Sequence, residues 1–196
     1  MKLGFVLECT PNGPDADIYP YVAKQICLGV NVAKPETLRN KQNVMSEGAL
    51  VALTLLETGC DYVFIIWDRM SRWGGTGRCA DHIAQLDAEL TKQSVDRSRV
   101  FLCCIDEMLE SWIVADGRGI TSYFQSLTTH NVGMFADCKK LSEQTNPKER
   151  IKKFKGRYND FTDDFKIVKC MPEFNRPAQR NTSFRHFKES VEQICS

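Results

Sequence analysis

Asp61-Tyr62-Val63-Phe64-Ile65-Ile66-Trp67-Asp68-Arg69-Met70 is the stretch that decides the fold. Its apolar run, mostly β-branched or aromatic, passes without a polar break into an acid and then into a polar, glycine-containing loop. Such a run predicts a strand buried on both faces, as central parallel strands are. In open α/β sheets, ligands collect in the crevice outside the carboxyl ends of the strands, and Asp68 stands at such an end. Two further strand-like runs also finish in acids: Leu3 to Leu7 runs into Glu8, and Val100 to Ile105 into Asp106-Glu107. Three strands bringing carboxylates to one edge is the pattern to explain.

Outward from that strand, the chain alternates. Lys2 to Leu7 predicts the first strand, followed by the breaker-rich turn Cys9-Thr10-Pro11-Asn12-Gly13-Pro14. Asp15, Asp17 or both open an amphipathic helix, and Pro20 fits its first turn if the helix starts near Asp17. A short strand is weakly signalled around Val30 to Val32. Ser46 to Thr58 predicts a helix closed by Gly59. After the central strand come a long loop, Arg69 to Gly77, and a helix from Cys79 to Lys92. A strand over Val100 to Ile105 and a helix over Glu107 to Asp116 follow. This order argues for a mainly parallel α/β sheet flanked by helices.

Beyond Gly117 the pattern is weaker: helices over Ser122 to Leu127, Pro147 to Phe154 and Ser183 to Ile194, and a last strand over Phe165 to Val168. We divide the chain into an α/β core, residues 1–138, and a smaller, mostly helical, basic part, 139–196, packed on the same domain. The net charge of +1 hides this division. Residues 139–196 carry 14 Lys+Arg against 8 Asp+Glu, a charge of +6, whereas residues 1–138 carry 12 against 17, a charge of −5. Such asymmetry points toward a polyanion partner, and a solvated helical face explains the basic part equally well.

Composition excludes several classes. No apolar stretch approaches a membrane span, so no membrane partner is expected. The start, Met1 to Glu8, is too short and too soon acidic for a secretory signal. The nine cysteines are odd in number and form no Cys-x-x-Cys pair, and Cys27, Cys60, Cys103 and Cys104 lie in or beside apolar runs. They read as free, small hydrophobes, which implies a reduced, cytoplasmic protein. His82, His130 and His186 have no zinc-ligand spacing.

A carboxylate at one strand end is ordinarily a turn residue or a helix cap; three together invite a hard divalent cation, which prefers oxygen ligands. Glu8, Asp68 and either Asp106 or Glu107 supply that set. Glu110 follows Glu107 by one helical turn, on the same side of the predicted helix, and Asp116 is farther off. The loop Gly74-Gly75-Thr76-Gly77-Arg78-Cys79-Ala80 contains a literal Gly-x-Gly-x-x-Ala, but Arg69 to Trp73 separate it from the strand end that a dinucleotide fingerprint requires. It reads better as a loop placing Arg69, Arg72 and Arg78 near the acids. The run Lys148 to Lys155, with Lys148, Arg150 and Lys152, suits phosphate backbones, with a soluble helix face burying Ile151 and Phe154 as the plain alternative. Trp67, Trp73 and Trp112 read as core. Cys9 beside Glu8 leaves thiol chemistry open.

The strand ending in Glu8, the helix opened by Asp17-Ile18-Tyr19, the strand-end Asp68 and the run Asp106 to Asp116 together resemble the topoisomerase–primase (TOPRIM) superfamily. More narrowly, they are similar to a bacterial family allied to the nuclease domains of OLD-type phage-defence proteins. Asn146-Pro147-Lys148 and Asn181 to Phe187 echo that narrower family. The resemblance implies a Rossmann-like, TOPRIM-type sheet with a Mg²⁺ (or Mn²⁺) site. Glu8 would match the superfamily's first-strand glutamate, Asp68 the first acid of its Asp-x-Asp motif, and Glu107 and Glu110 its later acidic pair, with Trp112 behind them. Two departures stand out: Met70 replaces the second acid of Asp-x-Asp, and the acid usually close after the first glutamate is displaced to Asp15 or Asp17.

The expectation is a Mg²⁺-dependent nuclease acting on DNA or RNA, in defence against phage or mobile DNA. Glu8 and Asp68 would hold a metal, Glu107 or Glu110 would hold a second ion or act as base, and Arg69, Arg72 or Lys148 would offset phosphate charge. A partner protein of a defence system and a homodimer are compatible with it. The alternatives are a degraded TOPRIM module that binds nucleic acid or a protein without cutting, and a nucleotide-binding enzyme using Gly75 and Gly77.

Overall fold

The computed structural model describes residues 1–69 and 77–195. Its strands are β1 (Lys2–Leu7), β2 (Asn31–Val32), β3 (Glu36–Thr37), β4 (Tyr62–Asp68) and β5 (Val100–Ile105). Its helices are α1 (Asp15–Ile26), α2 (Lys41–Glu57), α3 (Cys79–Lys92), α4 (Glu110–Ala115), α5 (Gly117–Ser126), α6 (Pro147–Phe154), α7 (Asp160–Lys169), α8 (Asn175–Arg180) and α9 (Thr182–Cys195). The sheet order is β2-β1-β4-β5, with β3 also on β1, and every pairing is parallel. The fold is Rossmann-like: a mainly parallel sheet between helical layers.

Alternation along the strands explains why the central runs carry no polar break. Leu3, Phe5, Leu7, Phe64, Ile66, Cys103 and Ile105 face one buried cluster, shared with Ile18 and Val22 of α1, Trp112 of α4 and Phe184 and Phe187 of α9. Val6, Val63, Ile65, Trp67, Val100 and Leu102 face the other, shared with α2 and α3. Both sides of the sheet are dry, so both sets must be apolar. Gly4 is closely approached by its neighbours: a Cβ there would stand 3.1 Å from Leu55 of α2 and 3.2 Å from Cys60 and Val63. Residues of the basic part, Ile151, Ile167, Phe187 and Val191 among them, belong to the same buried cluster as Leu3 and Phe5.

Several elements differ from expectation. Residues Phe165 to Val168 are not a strand; they lie within α7, which Asn159 caps by accepting the Phe161 amide at 3.0 Å. α1 begins at Asp15, so Pro20 falls beyond the first turn. α2 begins at Lys41, five residues before the predicted start, because the Asn40 side chain accepts the Asn43 amide. The helix predicted from Glu107 begins only at Glu110, and Glu107 itself has φ of 66°. The expectation of nine free thiols also fails. Packing of α9 on α1 brings Cys195 to Cys27 (Cα–Cα 6.0 Å), and Cys79 at the head of α3 meets Cys104 on β5 (5.7 Å); both pairs are disulfides. Both spans lie in the range a disulfide needs. No helix among the described residues is long and apolar enough to cross a membrane.

Candidate functional site

Parallel pairing with Leu7 opposite Ile66 and Asp68 opposite Ile105 puts the ends of β1, β4 and β5 at one edge. There a cavity of ≈ 150 Å³ is lined by Glu8, Asp15, Asp68, Glu110 and Asp160, with Lys148 and Arg39 as its lining cations. Five acids against two basic residues leave the cavity rich in negative charge.

Each acid is positioned by a different element. Glu8 follows β1; its amide donates to the Ile66 carbonyl, and its Oε2 accepts the Asp68 amide at 2.9 Å. The two strand ends therefore hold one another's acids in place. Asp15 is the first residue of α1, placed by the proline turn and set against the Tyr19 hydroxyl. Glu110 opens α4 and is almost wholly buried. Lys148, on the first turn of α6, pairs with Glu110 at 3.0 Å and with Asp160, at the head of α7, at 2.7 Å.

The electrostatics follow from shelter and like charge. Burial, then Glu110, push the Asp15 carboxyl up to about 6. Burial lifts Asp68 well above the usual carboxylate range, with Asp15, Glu8 and Glu110 adding to it. Burial also raises Glu8, against the pull of the Asp68 amide and of Lys41. Burial draws the Lys148 ammonium down, but Glu110 and Asp160 outweigh it and the net shift is upward. The Cys9 thiol, a lining group, is pushed up by burial and by Asp15. It is therefore protonated at neutral pH and a poor nucleophile.

Behind Glu110 stands a second rank. Asp164 is fully buried, and its Oδ1 accepts the Tyr158 hydroxyl while its Oδ2 has no hydrogen-bond partner. Burial, then Glu110, raise it well above its ordinary value. On the other side Lys41, also buried, donates to the Arg69 carbonyl at 2.6 Å at the exit of β4. Sequence reading did not single out Asp160, Asp164, Tyr158 or Lys41. The available signal was the Asn159-Asp160 pair heading an amphipathic helix.

The sequence candidates thus divide. Glu8, Asp68, Glu110 and Lys148 are brought together. Glu107 and Asp106 do not line the cavity. Glu107 lies in the turn before α4, and its carboxylate accepts the Asn146 amide at 3.0 Å. It therefore shares no helix face with Glu110, and its place is taken by Asp15. The contact has a use: Asn146, in left-handed conformation, and Pro147 start α6, which presents Lys148 to the acids. Asp106 gives its amide to Ser183 Oγ, and Asp106 O accepts the Ser111 hydroxyl. Asn181 binds Ser111, Gln144, Ser183 and the Phe184 amide. That late segment braces the approach to α4, and the Trp112 indole joins it by donating to Ser183.

Arg69 donates its amide to Ile105 O, Arg78 is exposed and pairs with Asp81, and Arg150 and Lys152 bind Thr145 O and Glu149 on the outer face of α6. Met70, Arg72, Trp73, Gly74, Gly75 and Thr76 lie outside the described residues.

The donors suit a hard cation: carboxylate oxygens, sheltered, mutually repelling and short of positive charge. Among the described residues, however, no three His, Cys, Asp or Glu side chains are already drawn together as a ligand set. Lys148 occupies part of the role that a cation's charge would play.

No family model matches the chain, and no curated protein matches it in sequence. Among solved structures, the chain is similar to the C-terminal region of the Burkholderia pseudomallei OLD protein. The TM-score is 0.51 at 14% identity, covering 100% of this chain and 98% of that one. At that identity the likeness is one of fold: the chain shares its architecture, end to end, with the C-terminal region of an OLD protein.

Proposed function

We propose that the chain is a divalent-cation-dependent phosphodiesterase acting on nucleic acid, within a TOPRIM-like fold. The observation that carries this reading is the convergence of Glu8, Asp15, Asp68 and Glu110, from four separate segments, on one cavity at the carboxyl edge of a parallel sheet. The fold likeness to an OLD C-terminal region and the sequence resemblance to OLD-type nuclease domains support it.

Glu8, Asp15 and Asp68 would hold Mg²⁺ or Mn²⁺, with Glu110 as a further ligand. When bound, such an ion polarises a phosphoryl oxygen and lowers the pKa of a coordinated water. The residues of the chain do the rest. Lys148, held between Glu110 and Asp160, offers a cation to a phosphate entering the cavity and offsets the charge that builds there. Asp15, poised near pH 6, exchanges protons with an entering water more readily than an ordinary carboxylate. Arg39 at the rim and the exposed cations of α6 would hold the flanking backbone. Defence against phage or mobile DNA is the setting suggested by the same resemblance.

One observation favours a second reading, a binding module that does not cut. Lys148 already neutralises part of the acid cluster, and no ligand set is preformed. Cleavage of labelled single- and double-stranded DNA and RNA in Mg²⁺ and Mn²⁺ separates the two. The enzyme reading expects cleavage abolished by EDTA and reduced at least about a hundredfold in Glu8→Gln and Asp68→Asn. If both variants cut as fast as the wild type, the reading is wrong. Binding that survives EDTA with no cutting supports the module.

A further inference from the structure

Among the described residues, four that are not glycine have positive φ: Arg39, Ser94, Glu107 and Asn146. Of these only Arg39 lines the acid cavity. Its φ of 69° is held from both sides. The Leu38 amide donates to the Leu7 carbonyl at 2.8 Å, the Arg39 amide donates to the Cys9 carbonyl at 3.1 Å, and Asn40 then caps α2. Glycine or asparagine would serve such a left-handed turn with little cost, whereas arginine is strained in it. A strained residue at the wall of a cavity points to a use for its side chain.

The cations around the acids differ in commitment. Lys148 pairs with Glu110 and Asp160, and Lys41 donates to the Arg69 carbonyl. Arg39 is exposed, and among the described residues its guanidinium has neither an ion pair nor a hydrogen bond. It shares the cavity lining with Glu8, Asp15 and Asp68 and pairs with none of them. Its N–H donors are therefore kept for a ligand, and the planar fork of a guanidinium matches two phosphate oxygens at once. We propose that Arg39 is the specificity-determining residue of the site: it grips, through both arms of its fork, the phosphate next to the one held at the acids. The inference rests on the nucleic-acid reading of the cavity, and it adds the residue and the geometry that select a phosphodiester strand.

The test is fluorescence anisotropy of a labelled DNA duplex and of its single strand on the full chain, with Ca²⁺ as the cation and the salt concentration varied. Arg39→Asn removes the fork and leaves a residue that tolerates the left-handed backbone. It should melt no lower than the wild type and retain Mn²⁺ binding, yet bind the oligonucleotide about tenfold more weakly. Its slope of log affinity against log salt should shrink by about one, because one phosphate contact is gone. Arg39→Lys keeps the charge and loses the fork, so it should hold the wild-type slope with an affinity between the other two. Wild-type affinity and slope in Arg39→Asn overturn the inference and leave the nuclease reading standing. A melting temperature several degrees below the wild type assigns the residue to the fold and overturns it as well. A wild type that binds neither oligonucleotide defeats both the inference and the nucleic-acid reading. Binding with the expected variant effects, but no cutting in Mg²⁺ or Mn²⁺, supports the grip and contradicts the nuclease reading alone.

Discussion

Two acid clusters in this molecule handle their charges in opposite ways, and the one at the strand ends is the more sheltered. Around Asp137 every carboxylate has its counterpart. Asp137 accepts from Arg176, from Arg180 at 2.8 Å and from the Gly117 amide at 3.0 Å, while Arg118 joins the buried Asp116 to Glu173. Burial alone would raise Asp137, but these donors outweigh it and its carboxyl lies below the usual range. At the strand ends Glu8, Asp15 and Asp68 are instead raised, by burial first and then by neighbouring acids, Glu110 among them. The first cluster ties α5 and α8 to the 135–138 segment. The second keeps an unmet demand for positive charge, which is the condition of a site that binds something.

The sharpest way to break the contrast is to remove an acid from each. Asp137→Ala strands two arginines and an amide and should cost about 3 kcal/mol of stability, read from urea unfolding. Asp68→Asn removes a repelled charge and should raise metal-free stability by about 1 kcal/mol in the same assay. If the two substitutions destabilise alike, the clusters do not differ as described. A smaller effect comes from pH. The folded pKa of Asp15 exceeds its unfolded value, so the folded state binds the extra proton and stability is lost as pH rises through about 6. In EDTA, lowering the pH from 7.5 to 5.5 should therefore stabilise the protein by just under about 1 kcal/mol. Asp15→Asn should remove that gain, and saturating Mg²⁺ should reverse its sign. Asp137, with a depressed pKa, contributes stability that is lost only as the pH falls through its own folded value, below this window.

The sheet and half of the site could be read from residues alone, because both depend on short-range pattern. An apolar run of period-free character gives a strand dry on both faces, and the acids at its end follow by position; Glu8 and Asp68 needed nothing more. What escaped was fixed by partners distant in sequence. Glu107 looks like the start of a helix until Asn146, 39 residues on, claims its carboxylate. Phe165 to Val168 has the β-branched look of a short strand, and the cap at Asn159 decides for a helix. Asp15 carried a visible signal, an acid just after a proline turn, but only the packing of α1 at the sheet edge distinguishes it from Asp17. The disulfides join residues 168 and 25 positions apart, and spacing without a framework says nothing of them.

The central claim is that the strand-end acids form a cation site, and calorimetric titration with Mn²⁺ at pH 7.5 addresses it most directly. The wild type should bind saturably. Binding should be lost in Glu8→Gln and Asp68→Asn and weakened in Glu110→Gln, yet survive in Glu107→Gln, whose amide oxygen still accepts from Asn146. Absence of binding in the wild type, or loss in Glu107→Gln with retention in Asp68→Asn, would contradict the account.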